Sequence, residues 1–116
     1  MHDMSKLTTH ILDTANGCPG KGISIRLFRG DDMVAEAVTN DDGRCDSPLL
    51  QGENFTAGVY QIEFDAGDYY RTRGMQLPEP AFLDTVIIQF GIADEDAHYH
   101  VPLLISPYGY STYRGS

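Results

Sequence analysis

The sequence predicts an all-β sandwich, and three observations carry that expectation. Short stretches alternate apolar and polar residues with period two, the signature of half-buried strands. Turn-forming residues separate these stretches at close, regular intervals. The chain has 116 residues, the size of one ordinary domain that buries a core without disulfides or metals. One domain is expected over 1–116, with no repeat and no low-complexity linker.

The elements follow in order. Strands are expected at 7–14, 23–29, 33–39, 44–50, 58–65, 85–92, 98–106 and 110–115. In LTTHILD, Leu7, Thr9 and Ile11 share one face and Thr8, His10 and Leu12 the other. The stretch Asn16-Gly17-Cys18-Pro19-Gly20 is a turn. In ISIRLF, Ile23, Ile25 and Leu27 oppose Ser24 and Arg26. Gly30-Asp31 turns the chain into 33–39, and Asp42-Gly43 turns it into 44–50. In VYQIEF, Tyr60, Ile62 and Phe64 oppose Gln61 and Glu63. One short helix is expected from Asp68 to Gly74. In TVIIQFGI, Val86, Ile88, Phe90 and Ile92 share a face. HYHVPLLI places His98 and His100 on one side with Pro102 and Leu104. A proline inside a strand removes a ladder donor, so Pro102 suggests an edge or a bulge. After Pro107-Tyr108-Gly109, the last strand sets Ser111, Tyr113 and Gly115 on one face.

Charge narrows the partners. There are 17 acids against 8 bases, a net charge of −9, and the bases form no stripe. Nucleic acid and anionic membrane are therefore not expected as partners. No apolar run is long enough to cross a bilayer, and MHDMSKLTTH lacks the apolar centre of a signal peptide, so a cytoplasmic location is expected. The acidic pairs and triplet Asp31-Asp32, Asp41-Asp42 and Asp94-Glu95-Asp96 read as solvated loops, and none has the alternate spacing of a calcium loop. Cys18 and Cys45 sit in no CxxC and are expected to be free thiols.

Four stretches hold polar groups that could do chemistry: LTTHILD, NDDGRCDS, HYHVPLLI and YSTYRGS. Each also has a plainer reading. A strand histidine such as His10 is most often a hydrogen-bonded structural residue. Arg44, directly after Asp-Asp-Gly, is most often paired with those carboxylates. His98 and His100 project together from a strand and could ligate zinc.

In combination and in this order, THILD, TNDDGR and the ending SPYGYSTYRGS strongly resemble the transthyretin-like family, on its 5-hydroxyisourate hydrolase branch. The terminal YRGS marks the hydrolases off from the hormone-carrying transthyretins, and the resemblance covers essentially the whole chain. It implies a sandwich of two four-stranded sheets with one short helix after the fifth strand. It implies a homotetramer, a dimer of dimers, with active sites in a channel shared by subunits and lined by the last strand. The implied reaction opens the ring of 5-hydroxyisourate to give 2-oxo-4-hydroxy-4-carboxy-5-ureidoimidazoline in urate degradation, with no metal or organic cofactor.

Carried over by motif, the functional positions are His10 of THILD, Arg44 of DGR, His100 of HYH and Tyr113 of YRGS. His10, Arg44 and Tyr113 would also bind substrate. No catalytic role carries over to His98. The residue types suit the chemistry: imidazoles titrate near neutrality and can serve as base and acid, a guanidinium orients an oxygen-rich ring and stabilises an oxyanion, and a phenol fixes the ring. Two alternatives stand beside this reading. One is a transthyretin-like carrier of a small aromatic ligand. The other is a zinc-dependent amidohydrolase using His10, His98 and His100.

Overall fold

The computed structural model describes residues 5–115. Period-two alternation becomes two packed sheets. The strands are β1 (Lys6–Asp13), β2 (Cys18–Pro19), β3 (Ser24–Arg29), β4 (Asp32–Val38), β5 (Leu50–Gln51), β6 (Gly58–Asp65), β7 (Thr85–Ile92), β8 (His98–Ser106) and β9 (Gly109–Thr112), with one α-helix, α1 (Ala66–Thr72), after β6. One sheet has the order β4-β3-β6-β7. The other has the order β2-β1-β8-β9, with the two-residue β5 also paired to β1. The expected four-plus-four sandwich is thus present, with one sheet extended by a short extra strand.

The inward rows are those that alternation picks out. Leu7 and Ile11 of β1, Ile25 and Leu27 of β3, Ile62 and Phe64 of β6, and Leu103 and Ile105 of β8 are all buried. β1 and β8 are the central strands of their sheet and run parallel, with Thr8 opposite His100 and His10 opposite Pro102. Burial of the inward row fixes this register, because a slip of one residue would turn Leu7 and Ile11 outward.

Four boundaries differ from the sequence reading. The segment 44–50 is not a strand: only Leu50–Gln51 pairs, with Leu7 and Lys6. Ser47-Pro48 interrupts it, since proline offers no ladder donor and constrains the residue before it. The free edge of β1 is instead covered in pieces. Gly20 N–H donates to Ile11 O at 2.8 Å, Ile11 N–H donates to Gly43 O at 2.8 Å, and Leu49 N–H donates to Leu7 O at 2.8 Å. Cys18–Pro19, read as a turn, adds a two-residue strand against Leu12 and Asp13. The helix spans Ala66–Thr72 and so begins earlier than Asp68.

The fourth difference concerns Pro102. It is not at an edge, because β8 lies between β1 and β9. Its effect falls on the tail. Ladder pairing of β9 ends at Leu103↔Thr112, opposite the point where Pro102 lacks an N–H. Thr112 Oγ1 donates to Pro102 O at 2.7 Å. Contact then resumes in the same register where Gly115 N–H donates to His100 O at 2.8 Å. The last strand therefore stops at Thr112 and not at 115.

Candidate active site

The parallel pairing of β1 and β8 places the outward side chains of the two strands side by side. Thr8 Oγ1 lies 2.7 Å from His98 Nε2 and 2.8 Å from His100 Nδ1. One hydroxyl thus joins two imidazoles whose ring centroids are 6.1 Å apart. His100 Nδ1 is engaged by Thr8, so Nε2 is the nitrogen left for other chemistry.

Arg44 arrives from the turn after β4. Asn40 organises that turn. Its side-chain oxygen accepts from Asp42 N–H at 2.9 Å and from Arg44 N–H at 3.2 Å. Gly43 has φ +75°, and a Cβ there would stand 2.4 Å from Ile11 O. Only glycine lets the turn press this closely on β1. The next residue, Arg44, then forms a bridge with His10. Asp41 pairs with Lys21 at 3.0 Å, and among the described residues no ion pair occupies Arg44. The guanidinium is exposed toward a pocket and not tied to its neighbouring carboxylates.

That pocket has a volume of about 370 Å³ and is lined chiefly by Lys6, Thr8, Arg44, Ser47, His98 and His100. This is within the range of small-ligand sites. No carboxylate of the described residues lines it. A chain of net charge −9 therefore presents two cations and two imidazoles at this one opening, which favours a polar, electron-rich ligand.

All three outward histidines have pKa values below the ordinary one. For His100 the cause is burial first, then the Arg44 charge and the neighbouring His98 and His10. For His10 it is burial and then Arg44, opposed by Asp42. For His98 it is burial and then Lys6. Near neutral pH the imidazoles are held unprotonated, the state in which a ring nitrogen accepts a proton.

Of the four positions singled out from sequence, the structure brings His10, Arg44 and His100 within electrostatic reach of one another. His10 flanks the pocket wall without lining it. Tyr113 lies elsewhere. It is 61% exposed and borders a separate cleft of about 180 Å³ with Ile88, Phe90, Tyr99 and Val101. Arg114 stacks over the Tyr99 ring at 4.0 Å. The tail touches the histidine site through Gly115 instead, whose backbone crosses the His100 ring. The sequence reading passed over Thr8 as a functional residue, although it shares a face with His10. Its role depends on a partner 92 residues away. Both cysteines are free thiols. Among the described residues, no three His, Cys, Asp or Glu side chains gather into a metal-holding group.

A β-sandwich with a cationic, histidine-lined pocket on one sheet face defines a transthyretin-type protein whose site carries acid–base groups. Comparison with known proteins agrees. Residues 7–115 match the model of the HIUase/Transthyretin family. The chain is 66% identical over 117 residues to 5-hydroxyisourate hydrolase of Pseudomonas aeruginosa, covering 97% of this chain and 93% of that protein. The solved 5-hydroxyisourate hydrolase of Klebsiella pneumoniae superposes with a TM-score of 0.84 at 35% identity, over 97% of this chain and all of that one (100%). Sea bream transthyretin in complex with thyroxine superposes at 0.83 with 28% identity, over 95% and 94% of the two chains. The chain belongs to the HIUase/Transthyretin family. The 5-hydroxyisourate hydrolases are 66% and 35% identical to this chain against 28% for the transthyretin, so on this shared fold the chain is a hydrolase of 5-hydroxyisourate, and its site says how it acts.

Proposed function

We propose that this chain hydrolyses 5-hydroxyisourate to 2-oxo-4-hydroxy-4-carboxy-5-ureidoimidazoline, a step in urate degradation, without a metal or organic cofactor. The observation that supports the reading is a cationic pocket lined by Arg44 and His100, with His10 within electrostatic reach of both. A carrier needs shape and apolar contact; unprotonated imidazoles beside a guanidinium are the groups of acid–base hydrolysis.

In this reading Arg44 orients the oxygen-rich ring and stabilises the oxyanion that forms when water attacks a ring carbonyl. His100 takes the proton from that water, with His10 as its partner. A proton is then returned to the ring nitrogen as the C–N bond breaks. Tyr113 holds the substrate ring through its hydroxyl. In one chain it borders a different cleft, so its contribution fits a homotetramer, a dimer of dimers, in which a second copy completes the site. The end strands β4, β7 and β9 leave sheet edges on which such copies can pair. The domain extends over 1–116. A cytoplasmic location accords with two free thiols; no helix among the described residues is long and apolar enough to cross a membrane.

The test is direct. Freshly generated 5-hydroxyisourate should lose its ultraviolet absorbance faster with the protein than without it, before and after chelator treatment. No acceleration overturns the enzyme reading. Activity lost to chelation and restored by zinc transfers it to a metal-dependent hydrolase.

A further inference from the structure

Among the described residues, Thr8 is the side chain that hydrogen-bonds both histidines of the HYH strand, and its chemistry is restrictive. A hydroxyl has a single proton to donate. Between His98 Nε2 at 2.7 Å and His100 Nδ1 at 2.8 Å, it can donate to only one ring, and if both rings donate to it, its own proton serves neither. Two arrangements place the Thr8 proton between the rings. In the first, His100 Nδ1–H donates to Thr8 and Thr8 donates to His98 Nε2, so His100 Nε2 carries a lone pair. In the second, His98 Nε2–H donates to Thr8 and Thr8 donates to His100 Nδ1, so the His100 proton sits on Nε2.

We propose that Thr8 and His98 form a proton relay that converts His100 between its base and acid forms, making both of them positioning residues for the hydrolysis. This rests on the reading of His100 as the group that takes the proton from water. The relay balances as follows. His100 Nε2 accepts a proton from water. The Nδ1 proton of His100 passes to Thr8 Oγ1, and the Thr8 proton passes to His98 Nε2. His98 then holds the positive charge, and His100 is neutral with a proton on Nε2, ready for the leaving nitrogen. As that proton passes to the leaving nitrogen, His98 returns its own through Thr8 to His100 Nδ1 in the same step, so His100 is never without a ring proton and ends neutral with Nε2 bare.

Cations stand beside both ends of the relay. His98 faces Lys6 across the strand pair and has the Arg114 guanidinium at 3.4 Å from its carbonyl. His100 faces Arg44, His10 and His98. Lys6 disfavours charge on His98 as Arg44 does on His100, so neither ring retains the proton and it returns readily along the chain.

Two independent readouts test the relay. Long-range nitrogen–proton NMR spectra of the neutral protein report which nitrogen of each ring is protonated. The expectation is that His98 and His100 share a tautomer, both Nδ1–H or both Nε2–H, and that Thr8→Val removes this linkage while Thr8→Ser restores it. Finding Nδ1–H on His100 with Nε2–H on His98 overturns the proposal, because Thr8 then only accepts. In the absorbance assay, Thr8→Val and His98→Ala should each lower kcat at least about tenfold, the loss typical when the partner orienting a working imidazole is removed, with KM little changed and the acid limb of the pH profile displaced. The double variant should be no worse than either single one. Additive losses, or unchanged kcat in both single variants, overturn it. If the wild type itself shows no activity on 5-hydroxyisourate, the functional reading fails, and the tautomer linkage still decides whether the relay exists.

Discussion

Replacing Gly115 by alanine should disable the pocket by way of a residue that contributes no side chain to it. Gly115 is held over the His100 ring by its N–H, which donates to His100 O at 2.8 Å. A Cβ built there stands 2.7 Å from His100 Cδ2 and 3.3 Å from its Cβ and Cγ. Carbon atoms rest at about 3.5–4.0 Å, so something must yield by roughly 1 Å. The backbone bond resists retreat of the tail, and the imidazole is the softer partner. Gly115 does not have a positive φ, so alanine adds no backbone strain and the lesion is confined to the ring. Misplacing a catalytic group by 1 Å costs on the order of 10² in rate. Gly115→Ala should therefore lose about a hundredfold in kcat, read by the absorbance decay of 5-hydroxyisourate, while circular dichroism and light scattering stay as in the wild type. Retention of full kcat would show that the tail does not set the position of His100, and the reasoning would fail.

Other perturbations test the rest of the site. His10→Ala, Arg44→Ala and His100→Ala should each lower kcat/KM by about 10²–10⁴, the range for losing an acid–base or electrostatic group, with mass by light scattering unchanged; His98→Ala should lose less than His100→Ala. Gly43→Ala sets a Cβ against Ile11 O at φ +75° and should cost more than about 2 kcal/mol in chemical denaturation, with activity falling as Arg44 shifts. The depressed histidines give a definite pH sign. Their folded pKa values lie below the ordinary 6.5, so the unfolded chain binds more protons in that window. Their share of stability is full above 6.5 and lost as pH falls toward the folded values. The acid limb of kcat/KM should also lie below 6.5, and a limb at or above that value would contradict the burial argument.

Much of this was legible in local pattern. Ile25 and Leu27, Ile62 and Phe64, and Val86 and Ile88 are inward because period two leaves no other way to bury them. The stretch 44–50 misled because Leu49 and Leu50 look strand-like, while the pairing they achieve depends on which atoms of β1 remain free. The alternation extends the last strand three residues past its end at Thr112, because the missing donor that ends it belongs to Pro102, ten residues back and on another strand. The link from Thr8 to His98 and His100 follows from the parallel register of β1 with β8, whose partners lie 92 residues apart, and no local period reports it. Tyr113 was placed by motif, and its cleft against Phe90 depends on how the two sheets stack.

β1 ties these features together, and its far end offers the last prediction. The strand ends at Asp13, which is 1% exposed yet ionisable. Tyr69 and Tyr70 hydroxyls each donate to it at 2.7 Å, and Asn16 Nδ2 does so at 2.7 Å. Backbone N–H groups of Ala15 and Asn16 add two more bonds at 3.0 and 3.1 Å. Burial alone would raise this carboxyl's pKa; the bonds from Asn16, Tyr69 and Tyr70 outweigh it and hold the pKa below the ordinary value of 3.8. Asp13 thus joins β1, the following turn and α1 at one point, on the face opposite His10. Asp13→Ala would leave the buried Tyr69 hydroxyl with only the Cys18 thiol at 3.9 Å, a cost of about 1–3 kcal/mol, while Tyr70 keeps its bond to Ile105 O at 3.0 Å. With the bonds from Ala15, Asn16 and Tyr70 to Asp13 also lost, at about 0.5–1.5 kcal/mol each, the expected loss is roughly 3–5 kcal/mol in urea denaturation, a large share of a small domain's stability. In the wild type, the contribution of Asp13 is present above 3.8 and lost as pH falls through the folded value; the variant's stability should lack that step. Well below its unfolding transition, Asp13→Ala should keep kcat and KM near wild type, because none of its partners reaches the pocket. A stable but inactive Asp13→Ala protein would show instead that the anchor of β1 sets the position of His10 and Thr8, and that the two faces of the strand are not independent.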